Sequence, residues 1–132
     1  MEGGEKASSV LKRINPPLKP REILTLICKA LEDKKGEDLV VLDLRNLSTI
    51  TDYFVLASGS SERHVRTLAE HVMDSLDAHQ LSRWHVEGLA ESRWVLVDYG
   101  DVMLHVFHPQ TRTFYGLERL WGEAPLVEVD GL

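Results

Sequence analysis

Hydrophobic and polar positions alternate most regularly between Trp94 and Phe107, in the run WVLVDYGDVMLHVF. Period-two alternation on both sides of a polar centre predicts a β-hairpin, and Tyr99-Gly100 between Asp98 and Asp101 supplies a two-residue turn in which glycine is free to adopt positive φ. Placing Asp98 opposite Asp101 pairs Val97 with Val102, Leu96 with Met103, Val95 with Leu104 and Trp94 with His105. Val95, Val97, Val102, Leu104 and Val106 then form one aliphatic face. Trp94, Leu96, Met103, His105 and Phe107 form the other, whose aromatic, thioether and imidazole groups match an interface better than a uniform core. A sheet covered by helices on both sides would bury the same five side chains, so patterning alone leaves core and interface open.

The rest of the chain divides by the same two periods. Pro20 suits a first helical turn, and Ile23, Leu24, Ile27, Ala30 and Leu31 recur at helical spacing before Gly36, which predicts a helix over 20–34. Leu39 to Leu44 is a short β-branched run and Asp52 to Ala57 a second, so both read as strands. Ser58-Gly59-Ser60-Ser61 is a tight connection with serine available as N-cap, leading into a helix whose stripe of Val65, Leu68, Ala69, Val72, Met73 and Leu76 runs to about His79. A short strand near Trp84 to Glu87 precedes the hairpin. A final helix over 112–121 carries Phe114, Leu117, Leu120 and Trp121. The order α-β-β-α-β-β-β-α, with one crossover and one hairpin, predicts a single α/β domain over 20–121 built on a mixed, mostly five-stranded sheet flanked by helices. Residues 1–19 mix glycine, serine and charge and read as a flexible arm, and residues 122–132 as a flexible acidic tail.

Composition narrows the class. The 132 residues are 43% hydrophobic and 27% charged, enough for one ordinary globular core without staples. Cys28 is the single cysteine, which excludes an internal disulfide and fits a reducing compartment; its place in an apolar helical run marks it as a small core residue. No apolar run reaches the ~20 residues that span a bilayer, and no secretory leader is evident, so the expected location is cytoplasmic. Net charge is −6 in all and +2 over residues 1–20, leaving −8 for the remainder. Such a domain is a poor match for extensive nucleic-acid contact and a good one for a basic protein.

Candidate chemistry is sparse. Ser58, Gly59, Ser60 and Ser61 at a helix start, with Arg63 following, are the candidate anion site and would support a nucleotide-binding or nucleotidyltransferase-like enzyme. Metal-dependent nucleotidyl transfer needs carboxylates one residue apart on a strand, and that pair is missing: Asp43 stands alone, while Asp98 and Asp101 flank a turn. The histidine spacings 64/71 and 71/79 exceed one helical turn and His105 and His108 point to opposite strand faces, so no metal site and no cofactor are expected.

Three segments in order, STITDYFVLASGSSERHV (48–65), WVLVDYGDVMLHVF (94–107) and RTFYGLERLW (112–121), resemble the Iojap-type ribosomal silencing factor (RsfS) family, over about residues 21–121. That resemblance implies a nucleotidyltransferase-like α/β fold without catalytic carboxylates and without enzymatic activity. It implies binding to the large ribosomal subunit through large-subunit ribosomal protein fourteen, a block of subunit joining, and lowered translation when nutrients are scarce. The family's interface tryptophan aligns with Trp94, on the hairpin face assigned from alternation alone, so the expected partner-binding residues are Trp94, Leu96, Met103, His105 and Phe107. A homodimer is also expected from the family, and a homodimeric adaptor is the remaining alternative.

Overall fold

The computed structural model describes residues 18–132, and the expected arm lies outside them except for Leu18 and Lys19. Helix α1 (Pro20–Asp33) begins with proline in its first turn and with the Glu22 carboxylate accepting the Lys19 amide at 2.8 Å. It stops where the Gly36 amide turns back onto the Leu31 carbonyl at 2.7 Å. Strands β1 (Glu37–Asp43) and β2 (Tyr53–Ser58) pair antiparallel. Helix α2 (Glu62–Ala78) follows, its first turn capped by the Ser61 hydroxyl, which accepts the His64 amide at 3.0 Å. Then come β3 (His85–Glu87), β4 (Trp94–Asp98), β5 (Val102–Phe107), α3 (Pro109–Tyr115), α4 (Leu117–Leu120) and β6 (Leu126–Val127), and a 3-10 turn at Val129–Gly131.

These strands form one open mixed sheet in the order β3-β4-β5-β2-β1-β6. Only β2 and β5 run parallel, joined by the crossover through α2; the other neighbouring pairs are antiparallel. The sheet therefore has six strands rather than five. The extra one corrects the reading of 122–132 as a flexible tail: Val41 pairs with Val127, Leu42 with Leu126, and the Asp43 amide donates to the Pro125 carbonyl at 2.8 Å. Val127, Val129 and Leu132 pack on the main core, so burial holds this segment despite its acidic composition.

Alternation along each strand separates two layers. Val41, Val55, Val95, Val97, Val102, Leu104 and Val106 face α1 and α2, where Leu24, Ile27, Leu31, Leu68, Val72 and Leu76 close over them. Leu42, Phe54, Leu56 and Phe107 face the other way, against Trp94, Met103, Leu117, Trp121 and Ala124. Among the described residues, that second layer has only the short α3–α4 segment and Ala124 as cover.

The final helix is broken where the periodicity predicted a continuous one. Gly116 adopts a left-handed conformation (φ 56°) and ends α3, and α4 restarts on its far side. The break separates the outward-facing Phe114 and Tyr115 from the inward-leaning Leu117 and Trp121.

Candidate partner-docking face

The β4–β5 hairpin presents the expected faces in a different register. Trp94 pairs with Phe107, Leu96 with His105 and Asp98 with Met103, two residues along from the pairing predicted from the turn. The cause is local: the Asp98 carboxylate accepts the Gly100 amide at 2.7 Å, and the Tyr99 amide reaches the Val102 carbonyl at 2.9 Å, which moves the turn centre to Gly100-Asp101. Gly100 takes the positive φ (88°) the turn requires. An even shift leaves every side chain on its original face. Trp94, Leu96, Met103, His105 and Phe107 therefore share the layer away from α1 and α2.

They are not equally available. Phe107 is fully buried and His105 is 5% exposed, whereas Trp94, Leu96 and Met103 keep part of their surface in solvent. The exposed apolar area beside them comes from α3–α4. Tyr115 lies against Trp94 with ring centroids 4.9 Å apart, and Phe114 against Tyr115 at 5.0 Å. Phe114 is 79% exposed and Leu120 75%. Between this aromatic wall and the loop before β4 runs an open cleft of about 530 Å³, bordered also by Glu91, Arg93 and Gln110. An exposed patch of large aromatic side chains at a half-covered sheet face has the geometry that can receive a partner.

Two arginines hold the walls of this cleft. Arg112, 9% exposed, donates through Nη1 to the Ser58 hydroxyl at 2.9 Å and through Nε to Glu118 at 2.8 Å, tying α3 and α4 to the end of β2. Arg66 on α2 donates to the carbonyls of Leu89 (3.2 Å) and Ala90 (2.8 Å) and to the Ser92 hydroxyl (3.2 Å), fixing the loop that delivers Trp94. Gly88 opens that loop at φ 83°, with the Trp94 carbonyl packed where a side chain would stand. Sequence reading missed both arginines, because a cation on an amphipathic helix is indistinguishable from a solvated one until its long-range acceptors are known.

Trp94 and His105 are joined directly. The indole Nε1 donates to His105 Nδ1 at 3.0 Å. His105 is packed edge-to-face on Phe54 at 4.5 Å and stacked near Phe107 at 6.0 Å, and burial pushes its pKa down to about 4, which keeps the ring neutral and its Nδ1 an acceptor. Its proton then sits on Nε2, a buried nitrogen with no hydrogen-bond partner among the described residues.

Much of the candidate anion turn is engaged within the fold. The Gly59 amide donates to the Phe107 carbonyl at 2.9 Å, and the Ser60 amide to His64 Nδ1 at 2.9 Å. The hydroxyl of buried Ser58 accepts from Arg112, and that of Ser61 caps α2. Arg63 is exposed on α2 beside Glu62, Arg66 and Glu70. Among the carboxylates, Asp43 is gripped by Arg45 through both oxygens and held below its ordinary pKa, chiefly by that hydrogen bond, while Asp98 is spent on its own turn. Among the described residues, no three histidine, cysteine or acidic side chains gather as they would around a metal ion. The buried Cys28 thiol is pushed up to about 12, which makes it an inert core group. No described helix is long and apolar enough to cross a membrane.

Comparison with known proteins places this geometry among relatives. The family model described as RsfS, ribosomal silencing factor during starvation, matches residues 17–132. Ribosomal silencing factor RsfS of Bacillus subtilis is 42% identical over 110 residues, covering 83% of this chain and 93% of its own length. A mouse protein named mitochondrial assembly of ribosomal large subunit protein 1 is 30% identical over 74% of this chain and 44% of its own. A crystal structure from Chromobacterium violaceum matches with a TM-score of 0.78 at 39% identity, over 80% of this chain and 88% of that one.

Proposed function

The chain belongs to the RsfS family of ribosomal silencing factors, and from that premise we propose that it docks on large-subunit ribosomal protein fourteen and holds the small subunit away, lowering translation under nutrient limitation. The observation that carries this reading is the exposed aromatic patch of Trp94, Phe114 and Tyr115 on a sheet face that two short helices leave half covered. Blocking subunit association requires only occupancy of a shared surface, so a rigid apolar patch on an acidic domain suffices. Catalysis is not needed, and the engaged Gly59 and Ser60 amides and the paired Asp43 argue against nucleotidyl transfer. The site of action is the cytoplasm, with its ribosomes. A homodimer through the same patch competes with docking, because one surface cannot serve both contacts at once.

Sedimentation with separated subunits tests the proposal. The wild-type protein should travel with the large subunit and keep the two subunits apart. A central buried aromatic contributes ~2 kcal/mol or more, so Trp94→Ala should weaken binding at least roughly thirtyfold while leaving the circular dichroism spectrum unchanged. A folded Trp94→Ala protein that still blocked joining would overturn the assignment of the face. Failure of the wild type to bind large subunits, with a stable dimer in solution, would leave the adaptor reading in its place.

A further inference from the structure

We propose that His105 is the positioning residue for Trp94: its buried Nδ1 fixes the indole edge, and with it the aromatic surface offered to the partner. The inference rests on the reading of Trp94 as a docking residue and adds how that residue is held. Trp94 occupies the first position of β4 at the rim of the sheet, where it is only partly covered. A tryptophan at such a rim satisfies its single N–H either in water or on a protein acceptor, and the two choices present different ring edges. Here the indole Nε1 donates inward to His105 Nδ1 at 3.0 Å.

The acceptor is immobile for reasons independent of Trp94. The imidazole is 5% exposed, edge-on to Phe54 at 4.5 Å and nearly parallel to Phe107, with 12° between the rings. Its neutral state follows from burial alone. The tautomer follows from the tryptophan, since an Nδ1 that accepts must leave the proton on Nε2. That nitrogen has no partner among the described residues, an unfavourable arrangement that a purely space-filling residue, leucine for example, would avoid. The polar ring is kept at this position for the acceptor it turns toward Trp94.

The test separates an acceptor from a filler. In the wild-type protein the Trp94 indole N–H, assigned by its loss in Trp94→Phe, should exchange slowly with solvent and His105 Nδ1 should carry the nitrogen shift of an unprotonated, accepting ring atom. His105→Leu should abolish the indole protection and weaken large-subunit binding about tenfold, the usual loss for one hydrogen bond of this kind. His105→Asn, whose amide oxygen can stand near the place of Nδ1, should restore most of both. In a Trp94→Phe background the leucine change should cost no further affinity. A fast-exchanging indole N–H in the wild type would overturn the inference without any variant, and so would equal binding losses for the leucine and asparagine variants when both are folded. If Trp94→Ala binds as tightly as wild type, the docking reading fails, while the exchange measurement still reports whether the two side chains are coupled.

Discussion

One sheet has two faces, and they are finished to different degrees. Toward α1 and α2 the sheet's side chains are mostly aliphatic, with Tyr53 and Tyr99 among them, and Val55, Val95, Val97, Val102 and Leu104 have no measurable exposure. Toward α3 and α4 Leu42, Leu44, Phe54, Leu56 and Phe107 are sealed, while Trp94, Met103 and Leu96 stay partly covered and Phe114, Tyr115 and Leu120 stand in solvent. The first face is stability, the second a surface left incomplete. The aliphatic side offers little that is directional, whereas the aromatic side is rich in fixed geometry: an indole on an imidazole, stacked rings, and the Arg112 clamp on α3. Residues of similar hydrophobicity thus do different work according to which helices reach them.

Leu104→Ala, at the middle of β5 on the sealed face, should show the largest effect. Removing a fully buried leucine there should cost about 3 kcal/mol of stability in urea titration, while the fraction that remains folded binds large subunits as before. A binding loss without a stability loss would break the division between the faces. Acid should act on the other face. Burial holds the folded His105 near pKa about 4, below its ordinary 6.5, so between those values the unfolded chain takes up a proton that the folded one refuses. The contribution is complete above pH 6.5 and declines as pH falls toward 4, reaching a loss of about 2 kcal/mol at pH 5. Urea titrations of wild type and His105→Asn at pH 7.5 and 5 should show the wild type losing more by that amount; equal losses would place the acid sensitivity elsewhere. The smallest effect belongs to Arg66→Ala, which frees the loop before β4. It should weaken docking severalfold through looser presentation of Trp94 and raise amide exchange at Leu89–Ser92, with little change in global stability.

Much of this contrast is legible in the residue pattern, because alternation assigns faces without knowing the register. The hairpin shows the limit of that method. Asp98-Tyr99-Gly100-Asp101 admits two turn centres, and only the Asp98 carboxylate on the Gly100 amide decides between them. The sixth strand escaped because Leu126-Val127 is two residues between a proline and acids, and its pairing with β1 is tertiary rather than a local preference. The helix break escaped because the apolar positions on both sides of Gly116 fit one helix, although a glycine is the residue that most readily takes the left-handed helix end seen there. At the candidate docking face, the pattern placed Trp94 and its hairpin neighbours on one side of the sheet. The outward turn of Phe114 and Tyr115 and the roles of Arg66 and Arg112 were not legible there, since each depends on contacts made far along the chain.

The parallel seam between β2 and β5 bears on how the molecule assembles. Each of these strands has an antiparallel partner close in sequence, β1 for one and β4 for the other, so two small sheets can form early and independently. Joining them closes a loop that spans α2, β3 and β4, an entropic cost larger than that of either antiparallel pairing. Until then β2, buried at all six positions in the finished protein, and β5, buried at five of its six, present unpaired apolar edges. Misassembly should begin at that seam, by one chain's β2 pairing with another chain's β5, and a chaperone that shields a single strand there would protect the whole fold.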